Sequence, residues 1–166
     1  MSAISRVYHD GRVNSAGLLL HRTGPSGLEI LLGHMGGPYF ARRDDGAWTI
    51  PKGEYDETEQ PLVAARREFA EELGVPPPEG VPYRELGTVR QRNGKRVTAW
   101  AVEADLDVTR IASNTFEIEW PPRSGRRQAF PEIDRAGWFD VETARVKMIA
   151  GQDALLDLLL ELVRTS

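Results

Sequence analysis

The sequence predicts a single α/β domain. Three observations carry that prediction. Short apolar runs bounded by Gly and Pro suit strands, one segment in the middle has helical periodicity, and a leucine-rich amphipathic stretch closes the chain. The 166 residues suit one domain with one core. At 40% hydrophobic and 28% charged, the composition indicates neither disorder nor a fibrous protein.

Taken in order, residues 1–12 are polar and read as a loose lead-in. Ser15 to His21 and Leu28 to Leu32 are apolar runs that fit buried strands, and Gly24-Pro25-Ser26-Gly27 between them makes a hairpin turn. Ala47 to Ile50 reads as a short extended piece ending at Pro51. A helix follows from about Thr58, capped by Asp56 or Thr58, with Glu59 in its first turn and Pro61 tolerated only because it is so near the start. Gly74 stops that helix, and Pro76-Pro77-Pro78 forbids its continuation. Tyr83 to Gln91, Arg96 to Ala104 and Gly137 to Phe139 are further strands, the last after a loop that carries P-P-R-S-G-R-R. From Gln152 to Val163 the leucines recur at helical spacing. No repeat or linker divides the chain.

Composition narrows function. The net charge of -4 confines any nucleic-acid contact to a local basic patch, so nucleic acid is not an expected partner. The absence of cysteine excludes disulfides, thiolate metal sites and cysteine nucleophiles. No run of 18 apolar residues and no signal-peptide pattern is present, so a cytoplasmic protein with no membrane partner is expected, as a monomer or homodimer.

The central helix holds the chemical signal. At about 100° per residue, Leu62, Ala65, Phe69 and Leu73 share one stripe, and Glu68, Glu71 and Glu72 share another that points away from it. Arg66 and Arg67 do not line the acidic stripe. Like charges at this spacing repel by a few tenths of a kcal/mol per pair. On the pattern alone, a solvated acidic face and a cation site fit equally well. Clustered carboxylates on a rigid element suit a hard divalent cation, above all Mg²⁺, which keeps waters and shares phosphate oxygens with a substrate.

The full spacing decides between them. Gly53, five residues, Glu59, seven residues, then Arg67-Glu68-Phe69-Ala70-Glu71-Glu72-Leu73-Gly74-Val75 resembles the signature of the Nudix hydrolases. Phe69 stands where the family more often has an aliphatic residue, a packing difference. The resemblance implies an α/β/α sandwich with a central mixed sheet, the box as loop-helix-loop at one end, and the C-terminal helix across the sheet. It implies Mg²⁺-dependent hydrolysis of a phosphoanhydride bond, with Mn²⁺ a possible substitute. Glu68 and Glu72 become metal ligands and Glu71 a ligand or the general base. Arg67 pairs with a box carboxylate and orients it. Glu59 is favoured as a structural partner of Arg67 over an outer metal contact. Gly53 lets the backbone approach the metal and offers its carbonyl, or is a simple turn glycine.

Outside the box, Lys52 can reach a phosphate oxygen. Trp48 is core rather than a base platform. Tyr39, Phe40, Arg42 and Arg43 mix aromatic and basic groups in a way compatible with base stacking and phosphate contact, or with an ordinary surface loop. Arg123, Arg126 and Arg127 form a guanidinium cluster suited to several phosphates. Glu117, Glu119 and Glu132 are candidates for a further carboxylate from a loop, with Glu132 best placed because a strand follows it. His9, His21 and His34 show no ligand spacing.

The resemblance leaves the substrate open. The entry P-K-G is similar to the dinucleoside polyphosphate and inositol polyphosphate branches, and the arginines agree with a long phosphate chain. The expected substrate is a small nucleotide, a nucleoside polyphosphate or dinucleoside polyphosphate. ADP-ribose, an RNA 5′ end, or a non-catalytic nucleotide-binding role are the alternatives.

Overall fold

The computed structural model describes residues 13–166, and the expected lead-in lies outside them. Strands β1 (Asn14–Gly24) and β2 (Gly27–Met35) form the expected hairpin, in register from His21↔Ile30 to Gly24↔Gly27. Beyond that register the two strands part. A corner at Ile50-Pro51 fills the wedge. On one side of it β3 (Trp48–Thr49) pairs with β2 through Gly33↔Thr49 and His34↔Trp48. On the other, β4 (Lys52–Glu54) pairs with β1 through Ser15↔Glu54, Ala16↔Gly53 and Gly17↔Lys52.

Helix α1 (Pro61–Leu73) follows, then the antiparallel pair β5 (Arg84–Arg90) and β6 (Arg96–Glu103). Strand β6 runs parallel to β1 from Asn14↔Arg96 to His21↔Glu103, and this makes the sheet mixed. The P-P-R-S-G-R-R segment is not a plain loop. It is the turn of a separate two-stranded hairpin, β7 (Thr115–Glu119) with β8 (Arg127–Pro131). The alternation Phe116, Ile118, Trp120 against Glu117, Glu119 is the period-two signal that marks it. Strand β9 (Ile133–Asp140) joins the main sheet antiparallel to β2, and leads into α2 (Val141–Lys147) and α3 (Ala154–Arg164).

Strand alternation sorts the core into two halves, because successive side chains leave opposite faces of a sheet. Leu18, Leu20, Leu31, Trp100 and Val102 pack with Ala64, Ala65, Phe69 and Leu73 of α1. Leu19, Ile30, Leu32, Val97, Ala99 and Ala101 pack on the other face with Ala144 of α2 and Leu155, Leu156 and Leu159 of α3. The result is the expected three-layer α/β/α sandwich. Among the described residues no helix is long and apolar enough to cross a membrane.

The helix start differs from expectation. Asp56 accepts from the Thr58 N–H at 2.9 Å in a turn ahead of the helix, and α1 begins only at Pro61. The residue before a proline is pushed out of the helical region, and Gln60 is extended at φ -66°, ψ 138°. Glu59 therefore lies outside the helix. The C-terminus ends as expected at Gly74, left-handed at φ 69°.

Candidate active site

Strand β4 lies along the side of α1, and this sets the site. The Glu68 carboxylate rests directly on Gly53, where a Cβ would stand 1.9 Å from Glu68 Cδ. The Lys52 backbone N–H donates to Glu72 Oε2 at 3.2 Å. Glu68 and Glu72 are buried at 9% and 8% exposure, whereas the Glu71 side chain is 44% exposed. The acidic stripe of the helix is thus split. Positions four apart turn in toward the sheet, and the residue between them looks out.

Arg67 does line this acidic stripe, contrary to the helical-wheel reading. Its long side chain bends across the face, giving Nη1 to Glu68 Oε1 at 2.7 Å and to Glu71 Oε2 at 3.4 Å. Its Nε and Nη2 donate to Glu59 Oε2 and Oε1 at 2.8 and 2.9 Å, a bidentate clasp. Glu59 anchors Arg67, and Arg67 in turn fixes one oxygen of Glu68.

Burial dominates the electrostatics. It pushes the Glu68 and Glu72 carboxyls above the ordinary carboxylate range, Glu72 well above. Arg67 opposes the shift at Glu68, and the Lys52 charge opposes it at Glu72. Burial also pulls the Lys52 ammonium down against the pull of Glu72. Glu132 is raised too, first by burial and then by the charges of Glu68 and Glu71. Of the three loop glutamates, Glu132 is the one coupled to the box. Glu119 accepts from the Gly125 N–H at 3.1 Å, and Glu117 lies 3.8 Å from Arg127, both out on the hairpin.

The segment before β7 places Glu132. The Asn114 N–H donates to the Glu71 carbonyl and the Glu132 N–H to the Asn114 carbonyl, each at 2.9 Å. Asn114 was not marked by the sequence, since one asparagine in a loop carries no pattern. Gln152, fully buried, was missed too. It donates to Thr49 Oγ1 and Gln91 Oε1 at 2.8 and 2.7 Å and accepts from the Ile50 N–H at 3.2 Å, which pins the corner ahead of Lys52.

The arginine cluster is not compact around one point. In the hairpin register Phe116, Ile118 and Trp120 share a face with Arg126, Gln128 and Phe130, whereas Arg127 faces Glu117 on the other side. Arg123 is at the exposed turn, left-handed at φ 63°. Arg42 is exposed in the β2–β3 loop, and Arg43 stacks over Phe40 at 5.3 Å. Trp48 is core, 5% exposed, its indole donating to Asp44. His34 is fully buried, its ring nitrogens 2.8 Å from Asp134 Oδ1 and 2.6 Å from the Arg43 carbonyl, tying that loop to β9.

The donor set fits a hard divalent cation. Two oxygen-bearing side chains are buried side by side next to a glycine backbone, and their burial makes an unbalanced negative charge costly. Among the described residues, no group of three or more His, Cys, Asp or Glu is gathered around one point. Waters and substrate oxygens would complete the shell, as Mg²⁺ ordinarily requires.

The carboxylate helix is thus buried against a lysine–glycine strand on one face of a three-layer sandwich. The family profile described as the NUDIX domain matches residues 12–159. The chain belongs to the NUDIX family and is a Nudix-type pyrophosphohydrolase. Its fold is similar to that of a C. elegans Ap4A hydrolase solved as a binary complex, with TM-score 0.64 and 22% identity over 92% of this chain and 99% of that one. It is also similar to the NUDIX domain of Shewanella oneidensis NrtR complexed with ADP ribose, with TM-score 0.58 and 17% identity over 92% and 88%. A third likeness is the Nudix hydrolase RenU from M. smegmatis, with TM-score 0.53 and 24% identity over 92% and 86%. No curated protein matches the chain.

Proposed function

We propose that this chain hydrolyses a phosphoanhydride bond in a nucleoside polyphosphate or dinucleoside polyphosphate, with Mg²⁺ as its cation and Mn²⁺ as a substitute. One observation carries the reading: Glu68 and Glu72 are buried together, four residues apart, on a glycine strand. Clustered, desolvated carboxylates of this kind gain most from a doubly charged ion and the phosphates it brings.

Glu68 and Glu72 hold the cation, with Glu71 and the Gly53 carbonyl as further ligands. When bound, the ion neutralises phosphate charge and acidifies a water. Arg67, clasped by Glu59, keeps Glu68 aimed. Lys52 meets a phosphate oxygen. Glu132 takes a proton from the attacking water, since it is half-buried among the same charges, and Glu71 is the second candidate for that task. Arg42, Arg123 and Arg126 extend positive charge toward a longer phosphate chain, whereas Arg127 is turned to Glu117. The substrate is a small nucleotide, met in the cytoplasm by a monomer or homodimer. One similar structure is an Ap4A hydrolase and another is complexed with ADP ribose, which supports a nucleotide diphosphate linkage as the target.

The test is a panel of diadenosine polyphosphates, nucleoside triphosphates, ADP-ribose and triphosphate-ended RNA, each with Mg²⁺ and with Mn²⁺. Turnover of the polyphosphate nucleotides, lost by about 10²-fold or more in Glu72→Gln, supports the reading. No turnover of any compound sinks it in favour of a binding module.

A further inference from the structure

The β2–β3 loop and the β7–β8 hairpin meet away from the sheet, and aromatic rings form the contact. The Phe116 ring lies against Gly37, where a Cβ would stand 2.8 Å from its Cζ. Further out, Tyr39 and Trp120 stand edge to face, centroids 5.4 Å apart and planes 78° from each other. Tyr39 is 64% exposed, the most open of the large hydrophobic side chains among the described residues. An edge-to-face pair leaves most of its ring faces uncovered by the partner. Exposing so much aromatic surface costs free energy unless something stacks on it.

The position of this pair relative to the acidic cluster is fixed by the backbone. The Gly36 N–H donates to the Glu132 carbonyl at 2.9 Å, and a Cβ on Gly36 would stand 1.9 Å from the Pro131 carbonyl oxygen. Tyr39 comes three residues later, and three residues reach at most about 10 Å. The Tyr39 backbone therefore lies within about 10 Å of Gly36, which is bonded to the Glu132 backbone. Arg126 stands opposite Trp120, whose N–H donates to the Arg126 carbonyl at 2.8 Å, and is exposed. Arg127 and Glu117 point to the other side.

We propose that Tyr39 and Trp120 form the stacking seat for a base of the substrate, with Arg126 on the adjoining phosphates. The seat rests on the nucleotide reading above and adds where the base goes. It makes the hairpin a specificity element. Phe116, against Gly37 and with Phe130 beside it, holds it on the domain, and Trp120 and Arg126 near its turn face the ligand. Arg127, balanced by Glu117, has no part in it.

Binding separates this proposal from the hydrolysis reading, because it needs no turnover. With Mg²⁺ present, calorimetric titration compares the tightest-binding of the four common nucleoside triphosphates with inorganic tripolyphosphate, which has the same phosphates and no base. Tyr39→Ala is expected to weaken the nucleotide on the order of 10-fold and leave tripolyphosphate unchanged. Tyr39→Trp is expected to retain wild-type affinity. Arg126→Ala should weaken both ligands and Arg127→Ala neither. In turnover assays Tyr39→Ala should raise KM with kcat retained. Equal losses for both ligands in Tyr39→Ala, or no loss for the nucleotide, would overturn the seat. So would a wild-type protein that binds tripolyphosphate as tightly as the nucleotide. A protein that binds the nucleotide through Tyr39 but hydrolyses nothing in the panel would leave the seat standing and remove the hydrolase reading.

Discussion

Gly53 shows how a single atom decides a site. Its missing Cβ is occupied by the end of the Glu68 side chain, 2.1 Å from where that carbon would be to Oε2. The displaced group would be the flexible end of a glutamate and not backbone, so Gly53→Ala should fold. The carboxylate, though, has to move by more than an ångström. The expected outcome is a metal-free melting temperature close to wild type, a reduced stability gain on adding Mg²⁺, and a fall in kcat/KM of about 10²-fold, since misplacement on this scale costs about that much. Melts with and without Mg²⁺, alongside initial rates, check it. A large loss of metal-free stability would mean that Gly53 serves the fold and not the carboxylate.

The corner between β3 and β4 delivers Lys52 and Gly53 to the helix, and Gln152 holds that corner. Its amide satisfies three buried partners on Thr49, Ile50 and Gln91 at once. Gln152→Ala leaves buried polar groups without partners, at about 1–3 kcal/mol each. A total loss of about 3 kcal/mol is expected, or roughly 6–12 °C in melting temperature for a domain of this size. Denaturant unfolding measures it directly, and a loss under about 1 kcal/mol would show the network to be dispensable. The same element scale shows what could be read beforehand. The hairpin β1–β2, the strands β5 and β6, α3 and the stop of α1 at Gly74 all followed from apolar runs, Gly and Pro. The start of α1 was misplaced because Asp56 and Thr58 look like caps but bond to each other ahead of the helix. The hairpin β7–β8 is harder to read because the alternation Phe116, Ile118, Trp120 against Glu117, Glu119 is short and runs into the charged turn P-P-R-S-G-R-R.

Across the whole molecule, α1, β4 and the segment entering β9 bring Glu68, Glu72 and Glu132 into one field, and each is raised above the usual value near 4.5. The sign of the consequence follows from proton linkage. In the window from about 4.5 up to the raised values, the folded protein binds more protons than the unfolded chain, so stability falls as pH rises. The carboxyls lowered by their partners, Asp44, Asp105, Asp107 and Asp140, work the other way but below about 3.8, outside this window. Metal-free protein should therefore lose melting temperature from these groups as pH rises above about 4.5. Half-buried His21, lowered from its usual 6.5, opposes the trend, and Glu72→Gln should remove part of the loss. Thermal melts across the range in chelator check it, and a pH dependence identical in wild type and Glu72→Gln would contradict the raised Glu72.

The sequence by itself determined the fold class and the family. The helix period, the glycine stop and the spacing from Gly53 to Val75 are local properties, written in neighbouring residues, and they carried the fold class and the carboxylate set. What only the tertiary structure decided was which of those acids are buried, and that Arg67, expected to pair with Glu59, also reaches Glu68 and Glu71. It also decided that Trp120 meets Tyr39 while Arg127 turns toward Glu117. These contacts depend on strand register and on side chains finding room against a sheet, which no one-dimensional pattern records.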